Sequence, residues 1–220
     1  QTHYIVVKII SVETTVQTTV SAKAPVEKGP DALLDRLATA LTPRLQELRR
    51  PVDAPKDQTL ARLREAAAPL RDAVVLVDIQ EQHVNRPLVD PAAQMAVANR
   101  LQAIGLEVVM ANDPVAGWKR ALFETGRYDG RAIDYVIEGD GTSAFAAELQ
   151  GMISCRARVE LRMIPVPGRQ IEVIEHGVAA QVDLVEALAA KAALAEAGEQ
   201  AIDALLLRFG KLRAAKKPAE

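Results

Sequence analysis

The sequence is short of the residues on which several common functions depend. It has a single cysteine in 220 residues, Cys155. No internal disulfide can form, and a place in an alternating apolar stretch with no histidine nearby reads as core packing and not as a reactive thiol. Aromatic residues make up 3 % of the chain, too few for the stacking platforms on which single-stranded nucleic acids lie. Neither sign of charge is in excess, since 27 Lys and Arg against 29 Asp and Glu leave a net charge of -2. The basic surplus that marks a phosphate-rich partner is missing, and no nucleic acid is expected to bind. The three histidines, His3, His83 and His176, have no zinc-site spacing, and one cysteine supplies too few soft ligands, so no metal or other cofactor is expected. No apolar run approaches the ~20 residues of a transmembrane helix.

What is present is ordinary globular material, 49 % apolar and 25 % charged, long enough for one substantial core with an appendage. Residues 4 to 20 alternate and are rich in Val, Ile and Thr, which predicts two strands with a bend at Glu13 to Thr15. After the connector Pro25 to Pro30, Asp31 is placed to cap a helix carrying Leu34, Leu37, Leu41, Leu45 and Leu48. A second amphipathic helix carries Leu60, Leu63, Ala67 and Leu70. These elements form an N-terminal extension, residues 1–71.

From Ala73 the pattern changes. Ala73 to Val77 is continuously apolar and ends at Asp78, as in a strand covered on both faces. Asp90 as N-cap, Pro91 at the first helical position and Gly105 as terminator predict a helix over Pro91 to Ile104. Leu106 to Met110 is the next strand, and Asp113 with Pro114 repeats the helix-start signal ahead of Trp118 and Leu122. Two βα units in succession predict parallel strands. A third strand, Ala132 to Glu138, is expected to end at the group Gly139, Asp140, Gly141.

The sharpest alternation in the chain follows, with Ile153, Cys155, Ala157, Val159, Leu161 and Met163 on one face and Ser154, Arg156, Arg158, Glu160 and Arg162 on the other. A turn over Pro165 to Arg169 leads to a strand at Ile171 and Val173, and matching the faces puts Leu161 opposite Val173 and Arg162 opposite Glu172. An Ala-rich helix, Leu184 to Phe209, is expected to bury Leu184, Leu188, Ala192, Ala195, Ile202, Leu205 and Phe209. A core domain over 72–210 and a basic flexible tail over 211–220 complete the plan. The fold class is α/β (α+β), a mixed sheet with helices packed on it.

Ligands of open α/β sheets bind beyond the carboxyl ends of parallel strands. Here that means loops bearing Glu81, His83, Asp113 and Asp140, which can converge as acid/base groups or simply serve as loop polarity and caps. Gly139, Gly141, Thr142 and Ser143 make a turn without the lysine of a phosphate loop, and neither Ser143 nor Ser154 has a nucleophile-elbow context. The outward row Arg156, Arg158 and Arg162, with Glu172 beside it, is the most specific surface feature. It reads either as a solvated strand face or as a grip on a partner or neighbouring subunit.

Three stretches resemble the CsgG-type envelope domain, the family of the curli secretion channel, the penicillin-binding-protein activator lipoproteins and the N-terminal domain of TolB. The first is the strand into Gln80, Glu81, Gln82, His83 and Val84, followed by Asp90, Pro91, Ala92, Ala93 and a helix ending in Gly105, Leu106, Glu107, Val108, Val109. The second is Asp134, Tyr135, Val136, Ile137, Glu138, Gly139; the third runs from Cys155 to Arg162 through the hairpin to Ala179, Ala180 and the helix with Ala189 to Leu194. The resemblance covers a little over half the chain and contains no catalytic signature. It implies an anticodon-binding-like fold and a non-enzymatic scaffold or assembly factor of the cell envelope, whose partners are copies of itself and envelope proteins.

Gln1, a polar residue of the kind signal peptidase leaves, fits an exported protein, periplasmic or outer-membrane associated, and stands where a lipidated cysteine would anchor some relatives. The Gly139 to Gly151 connection is read as too short for a membrane-crossing hairpin, so no pore is expected. The alternative function is a soluble small-molecule binder or enzyme using the strand-end loops.

Overall fold

Two glycines that were expected to end a strand lie in the middle of the longest one. The computed structural model describes residues 2–10, 17–26, 29–48, 56–84, 86–87, 90–111 and 116–216. The chain separates into two compact units, Gln1–Ala54 and Pro55–Glu220. In the first, β1 (Thr2–Ile10) and β2 (Gln17–Pro25) pair antiparallel and α1 (Gly29–Leu48) packs on them. Ala22, Ala24 and Leu33 are its buried cluster, with Ile5 and Leu37 alongside. The bend foreseen at Glu13 to Thr15 lies outside the described residues. Asp31 sits inside the first turn of α1 rather than ahead of it, where a carboxylate still complements the helix dipole.

The second unit runs α2 (Lys56–Ala66), a 3-10 turn Ala68–Leu70, β3 (Val74–His83), β4 (Arg86–Pro87), α3 (Ala92–Ala103) and β5 (Glu107–Met110). It continues with α4 (Trp118–Thr125), β6 (Arg127–Tyr128), β7 (Arg131–Ala132), β8 (Tyr135–Leu149), β9 (Met152–Pro165), β10 (Val173–Asp183) and α5 (Glu186–Lys216). The unit boundary falls ahead of α2, not at residue 71, because Leu63, Ala67 and Leu70 bury their side chains in the same core as α5. The expected mixed α/β sheet is present: its order is β10-β9-β8-β3-β4, with β5 also paired to β3. β3 runs parallel to β5 and β8, as the two βα units predict, and β8, β9 and β10 form an antiparallel meander.

Alternation assigns the two faces of this sheet. Val75, Val77, Ile79, Ile137, Val159, Leu161, Met163, Val173 and Ala179 face α2, α3 and α5 in the main core. On the opposite face Leu76 and Val136 are covered by Leu122 and Ile133, with Trp118, Phe123 and Tyr128 packed around them. This second cover stops short of the outer halves of β8 and β9, where Asp140, Thr142, Arg156 and Arg158 are exposed.

Several local expectations give way for identifiable reasons. β8 passes through Gly139 because a Cβ there would lie 2.5 Å from the Glu160 carbonyl oxygen, so the glycine permits close strand approach instead of a turn. The segment from Gly139 to Gly151 is therefore a long hairpin arm and its turn, not a short connection. β9 and β10 pair Val173 with Met163 and Ile174 with Arg162. That is two residues from the expected register, and an even shift keeps every side chain on its face. The joining loop is longer than Pro165 to Arg169, with the Glu172 amide donating to the Met163 carbonyl at 2.9 Å.

At the start of α3 the cap position is Pro91 without a side-chain bond, and Asp90 instead accepts from Lys191 Nζ at 2.7 Å. Asp113 and Pro114 lie outside the described residues; α4 begins at Trp118, after Gly117 at φ 84°. α5 buries Ala189, Ala190, Ala193, Leu194, Ala197, Ala201, Ile202, Leu205, Leu206 and Phe209. Leu184 is 73 % exposed and Leu188 52 % exposed, contrary to the expected stripe. Contact distance contributes to the choice: a Cβ on Gly177 of β10 would lie 2.1 Å from the Ala197 oxygen, so at this crossing the strand meets the helix where Ala193, Ala197 and Ala201 are buried. The helix continues to Lys216, so most of the segment foreseen as a flexible tail is helical.

Candidate functional site

The alternation of β8 and β9 gathers charge on the face that α5 does not cover. Lys119, on α4, places Nζ 2.7 Å from Asp78 Oδ2 and 3.1 Å from Glu138 Oε2. Asp78 is buried and that oxygen accepts no hydrogen bond of proper geometry among the described residues, so the ammonium charge is its partner there. Burial works against the Lys119 charge, but hydrogen bonds and the field from Asp78 and Glu138 outweigh it and hold its pKa above the ordinary value. One strand further on, Arg162 lies 2.9 Å from Glu160 Oε1 and 3.1 Å from Asp140 Oδ2, and Arg158 lies 3.5 Å from Glu160 Oε2. The Arg162 hydrogen bond, then that of Arg158, holds the Glu160 carboxyl below its usual range.

The arginine row thus stands on one face as read from sequence, but its members differ. Arg162 is engaged twice, Arg158 loosely, and Arg156 makes no ion pair among the described residues. Glu172 does not face Arg162. It accepts from Arg213 Nη2 at 2.8 and 2.9 Å, beside Tyr135 Oη, which accepts from the same nitrogen at 3.0 Å. Glu172 and Arg213 border a cavity of about 280 Å³ between the β9–β10 loop and the end of α5, also lined by Ile171, Phe209 and Leu212.

Of the described residues expected to converge, Asp140 stands apart from Glu81 and His83. Glu81 and His83 belong to β3, not to a loop, and face the helices, whereas Asp140 belongs to β8 and faces the open side. Asp113 lies outside the described residues. Glu81, 6 % exposed, occupies the amino end of α3: Oε1 accepts the Gln94 N–H at 2.8 Å, and the amides of Ala93 and Ala92 add weaker bonds. Its Oε2 has no hydrogen-bond partner among the described residues. Burial pushes the Glu81 carboxyl above its usual range despite those three amides. The Gln94 side chain answers by accepting the Ile79 N–H at 2.9 Å, which closes a lock between β3 and α3.

His83 joins a cluster that sequence reasoning missed. Its Nδ1 is 3.0 Å from Ser143 Oγ and its Nε2 3.0 Å from Glu186 Oε1. Serine, histidine and carboxylate in this order resemble an activated nucleophile. Ser143 is 5 % exposed, however, and its hydroxyl also donates to the Gln82 carbonyl at 3.5 Å. The cluster ties β3, β8 and α5 together. Nearby, Cys155 is fully buried, with Sγ 3.5 Å from the Glu186 carbonyl; burial, then the Glu186 charge, raises its pKa. No group of three His, Cys, Asp or Glu side chains is arranged to hold a metal ion among the described residues. The partners of His83 lie 60 and 103 residues away in sequence, so no local spacing announces them.

No protein-family model matches the chain, and no curated protein matches it. Among solved structures it is similar to a PelC dodecamer from Paraburkholderia phytofirmans, at 20 % identity over 62 % of this chain and 86 % of that one, with a TM-score of 0.40. A lipoprotein from Neisseria meningitidis is similar at 11 % identity over 66 % and 99 % of the two chains, with a TM-score of 0.32. Rare lipoprotein B from Shewanella oneidensis is similar at 13 % identity over 64 % and 97 %, with a TM-score of 0.31. Likeness at this level assigns neither family nor function, and the resemblance to the CsgG-type domain rests on the sequence stretches alone.

Proposed function

We propose that this chain is a non-enzymatic scaffold or assembly factor of the bacterial cell envelope, periplasmic or outer-membrane associated, that acts by binding copies of itself and other envelope proteins. The observation that carries the reading is the one-sided sheet. Its β8–β10 half has a full helical layer on one face and on the other an exposed field of charges anchored by Lys119, Arg158, Glu160 and Arg162. Antiparallel sheets tolerate such a face in water, and a rigid, charged plane offers a partner complementarity and register more than hydrophobic affinity.

Arg156, without an ion pair among the described residues, and Arg158, loosely paired, are the groups with donors left for a partner's carboxylates. Asp140 lies across the sheet from Glu81 and His83, so the three do not form one acid/base group. In this reading the scaffold forms no pore of its own; the part of β8 beyond its pairing with β3, Ala144–Leu149, is shorter than the ~9–11 residues of a membrane-crossing strand.

The test is double charge reversal, Arg156→Glu with Arg158→Glu. Sedimentation of the purified chain and capture from an envelope extract are expected to show weaker self-association or loss of the captured partner, in a protein that still folds. Unchanged behaviour in both assays, or a wild type that is monomeric and captures nothing, overturns the reading.

A further inference from the structure

The open face ends at an edge with little of the usual protection. β10 is the last strand of the sheet. Among the described residues the hydrogen bond that reaches its outer backbone comes from Arg208, which donates to the Ile174 carbonyl at 3.4 Å. Edge strands are normally kept short, or blunted by lysine, proline or a bulge. β10 is 11 residues long, contains no lysine, arginine or proline, and pairs with β9 without a register shift.

The side chains along this edge are self-complementary. On the open face they run Ile174, His176, Val178, Ala180 and Val182, opposite Arg162, Glu160, Arg158, Arg156 and Ser154 of β9. Ile174 is 44 % exposed, while Val178 and Val182 are half-buried. Val178 is the midpoint of Val173–Asp183. If a second β10 is laid antiparallel about a two-fold axis at Val178, Ile174 meets Val182 of the second copy at each end, His176 meets Ala180, and Val178 meets itself. On the helix side Glu175, held by Arg208 at 2.7 Å, meets Gln181. No like charges oppose one another, and apolar pairs occupy the centre and both ends of the open face, the arrangement that stabilises cross-strand contacts. The two arginine rows on β9 would stand three strand spacings apart, about 14 Å, beyond the ~8–10 Å screening length.

We propose that β10 pairs antiparallel with β10 of a second copy of this chain, about a two-fold axis at Val178, so that two sheets join edge to edge. The proposal rests on the self-association reading above and adds a second surface to it, the β10 edge, with the Arg156 and Arg158 face left for other contacts.

Three single substitutions in the full chain test it by sedimentation equilibrium and non-reducing electrophoresis. Wild type is expected at twice 23.7 kDa, or an even multiple if a further contact operates. Val178→Lys sets two ammonium groups against each other at the axis and halves that mass, with the far-ultraviolet circular dichroism of the wild type. Val178→Cys yields a reducible covalent dimer under mild oxidation, because opposed Cα atoms of an antiparallel pair lie about 4.5–5.5 Å apart, within disulfide reach. Arg158→Cys, one strand in, stays uncrosslinked.

If Val178→Lys does not fold, the smaller change to cysteine decides alone. An undiminished mass for Val178→Lys, or no crosslink through Val178→Cys in a wild type that associates, overturns the edge pairing and leaves the self-association reading standing. A wild type monomeric at high micromolar concentration overturns both.

Discussion

Glu81 is an anion placed where burial penalises it and three backbone amides favour it, and the penalty wins, since its pKa is raised. An acid whose pKa is higher folded than unfolded binds more protons in the folded state. Its stabilising contribution is complete below the unfolded pKa and is lost as pH rises through the folded value. At neutral pH the Glu81 charge therefore costs stability, with desolvation by burial as the largest cause. Glu81→Gln keeps an oxygen for the Gln94 amide and removes the titration. Its melting temperature, measured from about pH 4 to about pH 7, is expected to gain on the wild type as pH rises across the carboxylate range. Parallel melting curves for the two proteins across that range would show that Glu81 titrates normally. Glu160 shifts in the opposite sense, but it is partly exposed and its ion pairs with Arg158 and Arg162 are screened by solvent.

α5 shows how an element can be legible in kind and not in orientation. Its length and apolar content are plain in the sequence, yet alanine and leucine occur around more than one side, so periodicity alone does not choose the buried stripe. The close approach at Gly177 contributes to that choice, and a glycine inside a strand gives no hint of which helix residue will lie above it. Leu205→Ala is accordingly expected to cost about 2–5 kcal/mol in urea unfolding, while Leu188→Ala stays within about 0.5 kcal/mol. Equal costs would place the helix on its other face. β3, α3 and β5 were readable because apolar runs and Gly105 act locally, and the arginine row because a strand alternates strictly. The two-residue slip of β10 left no trace in the pattern, since both registers bury Val173 and Met163. The long β8 was hidden for another reason: a glycine that admits a neighbouring strand looks the same in sequence as one that ends a strand.

The two compact units of the molecule hold very unequal cores. In Gln1–Ala54 the described buried side chains are Val20, Ala22, Ala24 and Leu33, and Tyr4, Val6, Leu34 and Leu45 remain more than half exposed. One strand pair and one helix with so little apolar burial lie near the limit of independent stability. Pro55–Glu220 instead has helices packed on both faces of a six-stranded sheet. Proteases cut where local opening is least costly, so limited digestion of the full chain is expected to remove the first unit and leave a fragment starting near residue 55, as read by mass spectrometry. That fragment is expected to melt cooperatively at a temperature close to the main transition of the intact chain. It also carries the open face and the β10 edge, so it should associate as the full chain does. Co-digestion of both units, or a fragment that folds but no longer associates, would mean that the N-terminal unit supplies stability or contact surface beyond what its own small core indicates.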